Sequence, residues 1–182
     1  MTETITRLEH ALQGTGIENA RSAGGLPAQA LRDWVASEFE HRGREAETLM
    51  PVHGRFYRKR IDVVTGSVAV LCTRFDAGFS KNLTNRLEAL IGAATNLRGV
   101  MDTIGLVLLV SASQLESSPT AASRMAAALD SFDGQVFDYS ALIVWDGLQV
   151  LDRAVPDGLS AASFHQRILA VDSQNDGCRI TS

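Results

Sequence analysis

The chain has little cysteine. Cys72 and Cys178 are its only thiols among 182 residues, too few for a four-cysteine zinc module or for the disulfide frame of a mini-protein. Two thiols fit a reducing, cytoplasmic setting. Long apolar runs are also missing. The longest, Ile104–Val110, has the length of a buried strand and falls far short of the ~20 residues that span a bilayer. Met1–Gln13 alternates charged and apolar side chains, without the uninterrupted apolar core of a signal peptide. A cytoplasmic location and no membrane partner are therefore expected. His10, His41, His53 and His165 show no paired metal-ligand spacing, and Gly14-x-Gly16 does not follow a strand as a dinucleotide site requires. There is no internal repeat and no low-complexity run. A net charge of −4 argues against a wholly basic nucleic-acid coat.

What is present is an ordinary globular composition, 45% hydrophobic and 21% charged. One domain of this length buries ~70% of its unfolded surface without staples. The charge is unevenly distributed. Residues 51–100 hold eight Lys/Arg (Arg55, Arg58, Lys59, Arg60, Arg74, Lys81, Arg86, Arg98) and three acids (Asp62, Asp76, Glu88), so this segment is +5 and the remainder −9. An anionic partner is expected to meet the middle of the chain.

Apolar spacing predicts a short helix over residues 2–13 and a loop over Gly14–Gly25. A second helix should run from Pro27 through Leu31, Trp34, Val35 and Phe39 to a stop at Gly43, with Glu38 at the edge of its apolar face. Three strand-like runs follow, Glu47–Val52, Arg55–Val64 and Ser67–Phe75, separated by His53-Gly54 and Thr65-Gly66 as hairpin turns. A helix capped at Ser80 or Asn82 and ended by Gly99 should lead to a strand at Ile104–Ser111, apolar enough to be covered on both faces. A helix near Ala121–Asp130, a strand at Ser140–Trp145 with Val150–Leu151 folded back on it, and a helix over Ser160–Val171 complete the pattern. This order predicts an α/β fold: a three-stranded antiparallel meander, a crossover helix, a parallel strand, and helices on both faces. Residues 1–171 read as a single domain and 172–182 as a loose C-terminal tail.

The densest group of reactive side chains lies on the second and third strands. Asp62 follows Arg58-Lys59-Arg60, and Cys72 and Arg74 sit two apart on one face of the next strand. An acid facing two polar positions on a neighbouring strand is the layout of a small metal-dependent hydrolase. The run His53-Gly54-Arg55-Phe56-Tyr57-Arg58-Lys59-Arg60-Ile61-Asp62, and then Phe79-Ser80-Lys81-Asn82-Leu83-Thr84-Asn85-Arg86-Leu87-Glu88-Ala89-Leu90-Ile91-Gly92, resemble the PD-(D/E)XK nuclease superfamily and, within it, the XhoI-like type II restriction endonucleases. The resemblance covers about residues 27–112 and fades beyond. It implies a restriction-endonuclease-like mixed sheet, a metal-binding aspartate at Asp62, Mg²⁺ as cofactor in an active enzyme, DNA as substrate and a homodimer.

The chain departs from that family where the chemistry would be. Family members carry Glu-x-Lys on the third strand, and this chain has Cys72-Thr73-Arg74. A thiol is a soft ligand where Mg²⁺ wants hard oxygen. Arg74 stays protonated, so it can hold a phosphate but cannot act as a base. The expectation is a degenerate, catalytically impaired nuclease relative that binds DNA or a partner protein, with phosphate contacts from Arg55, Arg58, Lys59, Arg60, Arg74, Lys81 and Arg86, and with Asn82 and Asn85 beside them. The alternative is an active Mg²⁺-dependent endonuclease in which Asp62 shares the metal with Glu38 or Asp76 and Lys59 or Lys81 supplies the missing ammonium. A third reading is a scaffold subunit that binds no nucleic acid. In bland terms, Asp62 is an acid paired with Arg60 or Arg74, Cys72 a small buried hydrophobe, and the arginine cluster a solvated face.

Overall fold

Strands pair in the order in which the chain makes them. In the computed structural model, which describes residues 2–16, 25–75 and 79–171, β1 (Glu47–His53), β2 (Arg58–Thr65) and β3 (Val68–Arg74) form an antiparallel meander. β4 (Thr103–Ser111) then pairs parallel to β3, and β5 (Tyr139–Trp145) parallel to β4. Gly66-Ser67 closes β2 onto β3, and Gly66, at φ 55°, supplies the left-handed turn position that such a short loop needs. Parallel neighbours cannot be joined by a tight turn. The chain therefore crosses over through α3 (Phe79–Leu97) between β3 and β4, and through α4 (Ala112–Ser117) and α5 (Pro119–Phe132) between β4 and β5.

The remaining helices, α1 (Thr2–Leu12), α2 (Leu26–Glu40) and α6 (Ala161–Ala170), cover the other face. Period-two alternation divides the core between the two layers. Ile104, Leu106, Leu108 and Val110 of β4 pack with Leu83 and Leu97 of α3 and with Met125 and Leu129 of α5. Val107 and Leu109 pack with Leu8 of α1, with Leu31, Trp34 and Phe39 of α2, and with Phe164 of α6. All nine residues of β4 are buried, as a strand covered on both faces requires. Each large side chain taken from water in these layers contributes about 1.5–3 kcal/mol. Gly105 sets how closely α6 approaches: a Cβ there would stand 2.8 Å from Ile168 Cδ1 and 3.2 Å from the Phe164 ring.

Three local expectations need correction. The second strand begins at Arg58, not Arg55, because residues 54–57 form a turn that is held from outside the sheet. Ser80 and Asn82 lie within the first turns of α3, not ahead of it as caps. The short helix α4 was not expected; a capping box between Ser111 and Gln114 starts it directly at the end of β4. Residues 17–24 of the first loop and the segment 172–182 lie outside the described residues.

The turn before β2 depends on one buried amide. Asn96 of α3 is fully buried. Its Oδ1 accepts from the backbone N–H of Phe56 (2.9 Å) and Tyr57 (3.1 Å), its Nδ2 donates to the Tyr57 carbonyl (3.0 Å), and its own carbonyl accepts from the Arg55 N–H (2.7 Å). Gly54 closes the turn with its N–H on the Tyr57 carbonyl at 3.1 Å. Any Cβ on Gly54 would run into the Asn96 amide and backbone. Asn96→Ala removes the three side-chain bonds while keeping the carbonyl that Arg55 uses, and is expected to lower stability by about 2 kcal/mol, a fall in Tm of roughly 4–8 °C for a domain of this size. Gly54→Ala should do the same by expelling the amide; thermal melts of both variants check this, and an unchanged Tm in both contradicts it.

Candidate functional site

Asp62 stands at a fork in the sheet. β2 and β3 pair only over Val63↔Val70, Val64↔Ala69 and Thr65↔Val68, whereas β3 stays paired with β4 as far as Arg74↔Leu109. On its other edge β2 pairs with β1 at Met50↔Ile61 and Thr48↔Val63, skipping the Leu49–Asp62 position, and Leu49 has φ 55°. The side-chain alternation breaks at the same place. Ile61 packs in the α3-side core and Val63 in the opposite one, although a regular strand keeps such positions on one face. Where the strands part, Asp62 Oδ2 accepts the backbone N–H of Cys72 at 3.0 Å in place of a ladder carbonyl. Arg32, from α2, brings its guanidinium to 3.7 Å from Oδ1.

A cavity of about 230 Å³ opens beside the carboxylate, lined by Lys59, Asp62, Cys72, Thr73 and Arg86 among others. Arg86, Ala89 and Ala93 recur at helical spacing on the face of α3 that lines it. Asn82, exposed near the start of α3, lies four residues before Arg86, Asn85 is the exposed neighbour of Arg86, and Lys81 is exposed beside Asn82. Burial pushes the Asp62 carboxyl above its usual value of 3.8, against the pull of the Cys72 N–H, Arg32 and Lys59. Burial also drives the Cys72 thiol well above its ordinary value, and the Asp62 charge adds to this, so it stays protonated.

These donors do not fit the Mg²⁺ that the family resemblance implies. Asp62 offers a hard oxygen, but the partner position holds a protonated thiol, and Arg32, Lys59 and Arg86 surround the carboxylate with positive charge. Among the described residues no group of three His, Cys, Asp or Glu side chains could hold a metal. Arg74 is half-buried, and Thr73 rather than Arg74 lines the cavity. Arg55, Arg58 and Arg60 are exposed and Lys59 half-buried. Asp76 lies outside the described residues.

Glu38 is not available to Asp62. It sits six residues beyond Arg32 in α2, about 9 Å along the helix, and is enclosed by a different set of groups. Its Oε1 accepts from Arg7 Nε at 2.6 Å and its Oε2 from Arg7 Nη2 at 2.9 Å and the Thr4 hydroxyl at 3.3 Å, while His165 Nε2 stands 2.6 Å from Oε2. This network joins α1, α2 and α6. Burial opposes the Glu38 charge, yet Arg7 and the other partners hold its carboxyl below the usual value of 4.5. His165 is pushed below its usual 6.5, first by burial and then by Arg42 and Arg7, against the pull of Glu38.

Sequence reasoning missed Arg32, Arg7, His165 and Asn96. Glu38 and His165 each sit within an apolar helical face, beside Trp34–Val35 and Phe164–Ile168, and a charge there signals a buried partner. Arg32 and Asn96 carry no such local mark. Comparison with known proteins finds no matching family model, curated protein or solved structure.

The two acids should respond oppositely to removal of charge. The folded state raises the Asp62 pKa, so this group subtracts stability as pH rises through its titration range, and Asp62→Asn, which keeps an acceptor for Cys72, is expected to melt at or above the parent at pH 7. Glu38 and His165 have depressed folded pKa values. Their stability is present at neutral pH and is lost as pH falls, first below about 6.5 as unfolded histidine takes a proton and then through the carboxylate range. Glu38→Gln leaves Arg7 with exposed Glu3 as its remaining carboxylate partner, and should cost about 1.5–3 kcal/mol at pH 7 and flatten this acid loss. Denaturant titrations of both variants between pH 4 and 8 check the contrast; a Glu38→Gln protein as stable as the parent contradicts it.

Proposed function

We propose that the protein binds nucleic acid, DNA foremost, as a degenerate relative of the PD-(D/E)XK nucleases whose phosphate-contacting surface outlasts its metal site. The observation that carries this reading is the basic and aromatic segment Arg55–Arg60. Five of its six residues are exposed, with Phe56 at 66% and Tyr57 at 49%, in a chain with an acidic total. Arginine, lysine and aromatic side chains interleaved on one surface suit a polyanion with stackable bases.

Element order supports the same reading. A helix, an antiparallel meander, a crossover helix and a parallel strand are the arrangement that the resemblance implies, and Asp62 stands on the second meander strand as its aspartate would. The start of α3 adds Lys81, Asn82, Asn85 and Arg86 on one side of the helix, with Arg86 and Lys59 meeting at the cavity. Around Asp62 the neighbours serve an anion better than a cation. Arg32 neutralises the carboxylate, and Lys59, Arg86 and the Thr73 hydroxyl are donors suited to phosphate oxygens. Hydrolysis would need a second hard ligand and a base, and Cys72 and Arg74 supply neither.

Fluorescence anisotropy with a labelled 30-nucleotide DNA, single-stranded and duplex, tests the reading. Binding is expected at low salt and should weaken steeply with ionic strength, and the triple variant Arg55→Ala/Arg58→Ala/Arg60→Ala should reduce the slope of log K against log salt by about 2–3. No binding at low salt would remove the proposal. Plasmid incubated with Mg²⁺ or Mn²⁺ should stay intact; cleavage that Asp62→Ala abolishes would replace binding with catalysis.

A further inference from the structure

Among the exposed features of the molecule, the turn at residues 54–57 is held far more firmly than a loop between two strands requires. Five hydrogen bonds fix four residues: three run to the fully buried side chain of Asn96 in another element, one to its backbone carbonyl, and one closes the turn on itself. Gly54 is packed so closely on Asn96 that no side chain fits there. What this rigid frame displays is apolar. Phe56 remains two-thirds exposed even with the Arg55 guanidinium 5.2 Å over its ring. Tyr57 lies half-exposed along α3, with its hydroxyl at the limit of hydrogen-bond distance, 3.5 Å, from the Gly92 carbonyl.

We infer that this turn is a base-stacking platform and that the protein prefers nucleic acid with unpaired bases (single strands, overhangs or frayed ends) over blunt duplex. The inference deepens the nucleic-acid reading above and rests on it. An aromatic ring gains by stacking on a base only if the face of that base is free, and inside a duplex every face is already stacked. A ring held on a fixed backbone loses little freedom on binding, so most of the stacking energy appears as affinity. The Arg55 guanidinium stands over the ring, and Arg58 and Arg60 are exposed two and four positions further along the chain, cations suited to phosphates along a bound strand. The charge surrounding Phe56 favours a polyanionic strand over an apolar protein groove as the occupant of this surface.

The test compares three labelled DNAs of one length: single-stranded, blunt duplex, and duplex with a single-stranded overhang. A single 2-aminopurine placed in the unpaired region reports stacking by fluorescence quenching. The single strand and the overhang are expected to bind at least tenfold more tightly than the blunt duplex. Phe56→Ala should weaken their binding about tenfold or more and abolish the quenching, with a much smaller loss on blunt duplex; Phe56→Tyr should restore both. Phe56 is exposed, so the variant should melt like the parent, and Asn96→Ala should weaken single-strand binding by loosening the platform. Equal affinity for all three DNAs, with Phe56→Ala silent, overturns the stacking inference and leaves nucleic-acid binding standing. Failure of every DNA to bind at low salt overturns both.

Discussion

The hydrogen bond from the Cys72 N–H to the Asp62 carboxylate joins β2 to β3 at the point where their ladder stops. Strands that part inside a covered sheet leave backbone donors without partners, and each such donor costs about 1–3 kcal/mol if nothing replaces the lost acceptor. A side-chain carboxylate is the replacement here, and its presence determines much of the surrounding geometry. Because β2 leaves β3 at residue 62, Arg58, Lys59 and Arg60 pair only with β1. The opening between the strands becomes the cavity that Lys59, Thr73 and Arg86 line. The left-handed Leu49 opposite Asp62 and the break in alternation between Ile61 and Val63 belong to the same departure. The acid, the cleft and the basic segment thus meet where β2 leaves β3.

Two partly or wholly buried acids, Asp62 and Glu38, illustrate what partners do to a carboxylate. Glu38 receives two nitrogens of one guanidinium, a hydroxyl and an imidazole contact, and these outweigh the loss of water, so it is stable as an ion and fastens three helices together. Asp62 has the Cys72 N–H at 3.0 Å and a guanidinium at 3.7 Å, and burial prevails over these and over Lys59. The two carboxylates thus differ in whether their partners outweigh the loss of water. This contrast separates the cleft from the helix network even though both contain an acid, an arginine and neighbouring cations.

Periodicity made most of the architecture legible. The apolar face of α2, the apolar run of β4 and the glycine turn at Gly66 each follow from side-chain pattern and local backbone preference; the first two stand in the fold as read, and the turn falls one residue later than read, at Gly66-Ser67 with Thr65 kept in β2. The departures have a common cause. Residues 55–57 carry β-favouring aromatics and alternate plausibly, yet they leave the sheet because Asn96, about forty residues later, offers better hydrogen bonds. Glu38 sits correctly on the edge of its helix face but turns to Arg7 and His165, which no local spacing connects to it.

The chain by itself therefore determined the order and type of the elements, the buried central strand, the basic middle and the Asp62 to Arg74 group of residues, because these follow from neighbours within a few positions. Only the tertiary structure decided which cation meets which acid, where β2 parts from β3, and which aromatic side chains are held rigidly in solvent. Those outcomes depend on hydrogen bonds and ion pairs between residues some ten to more than a hundred positions apart. Their energies depend on burial and angle, which exist only once the layers have closed.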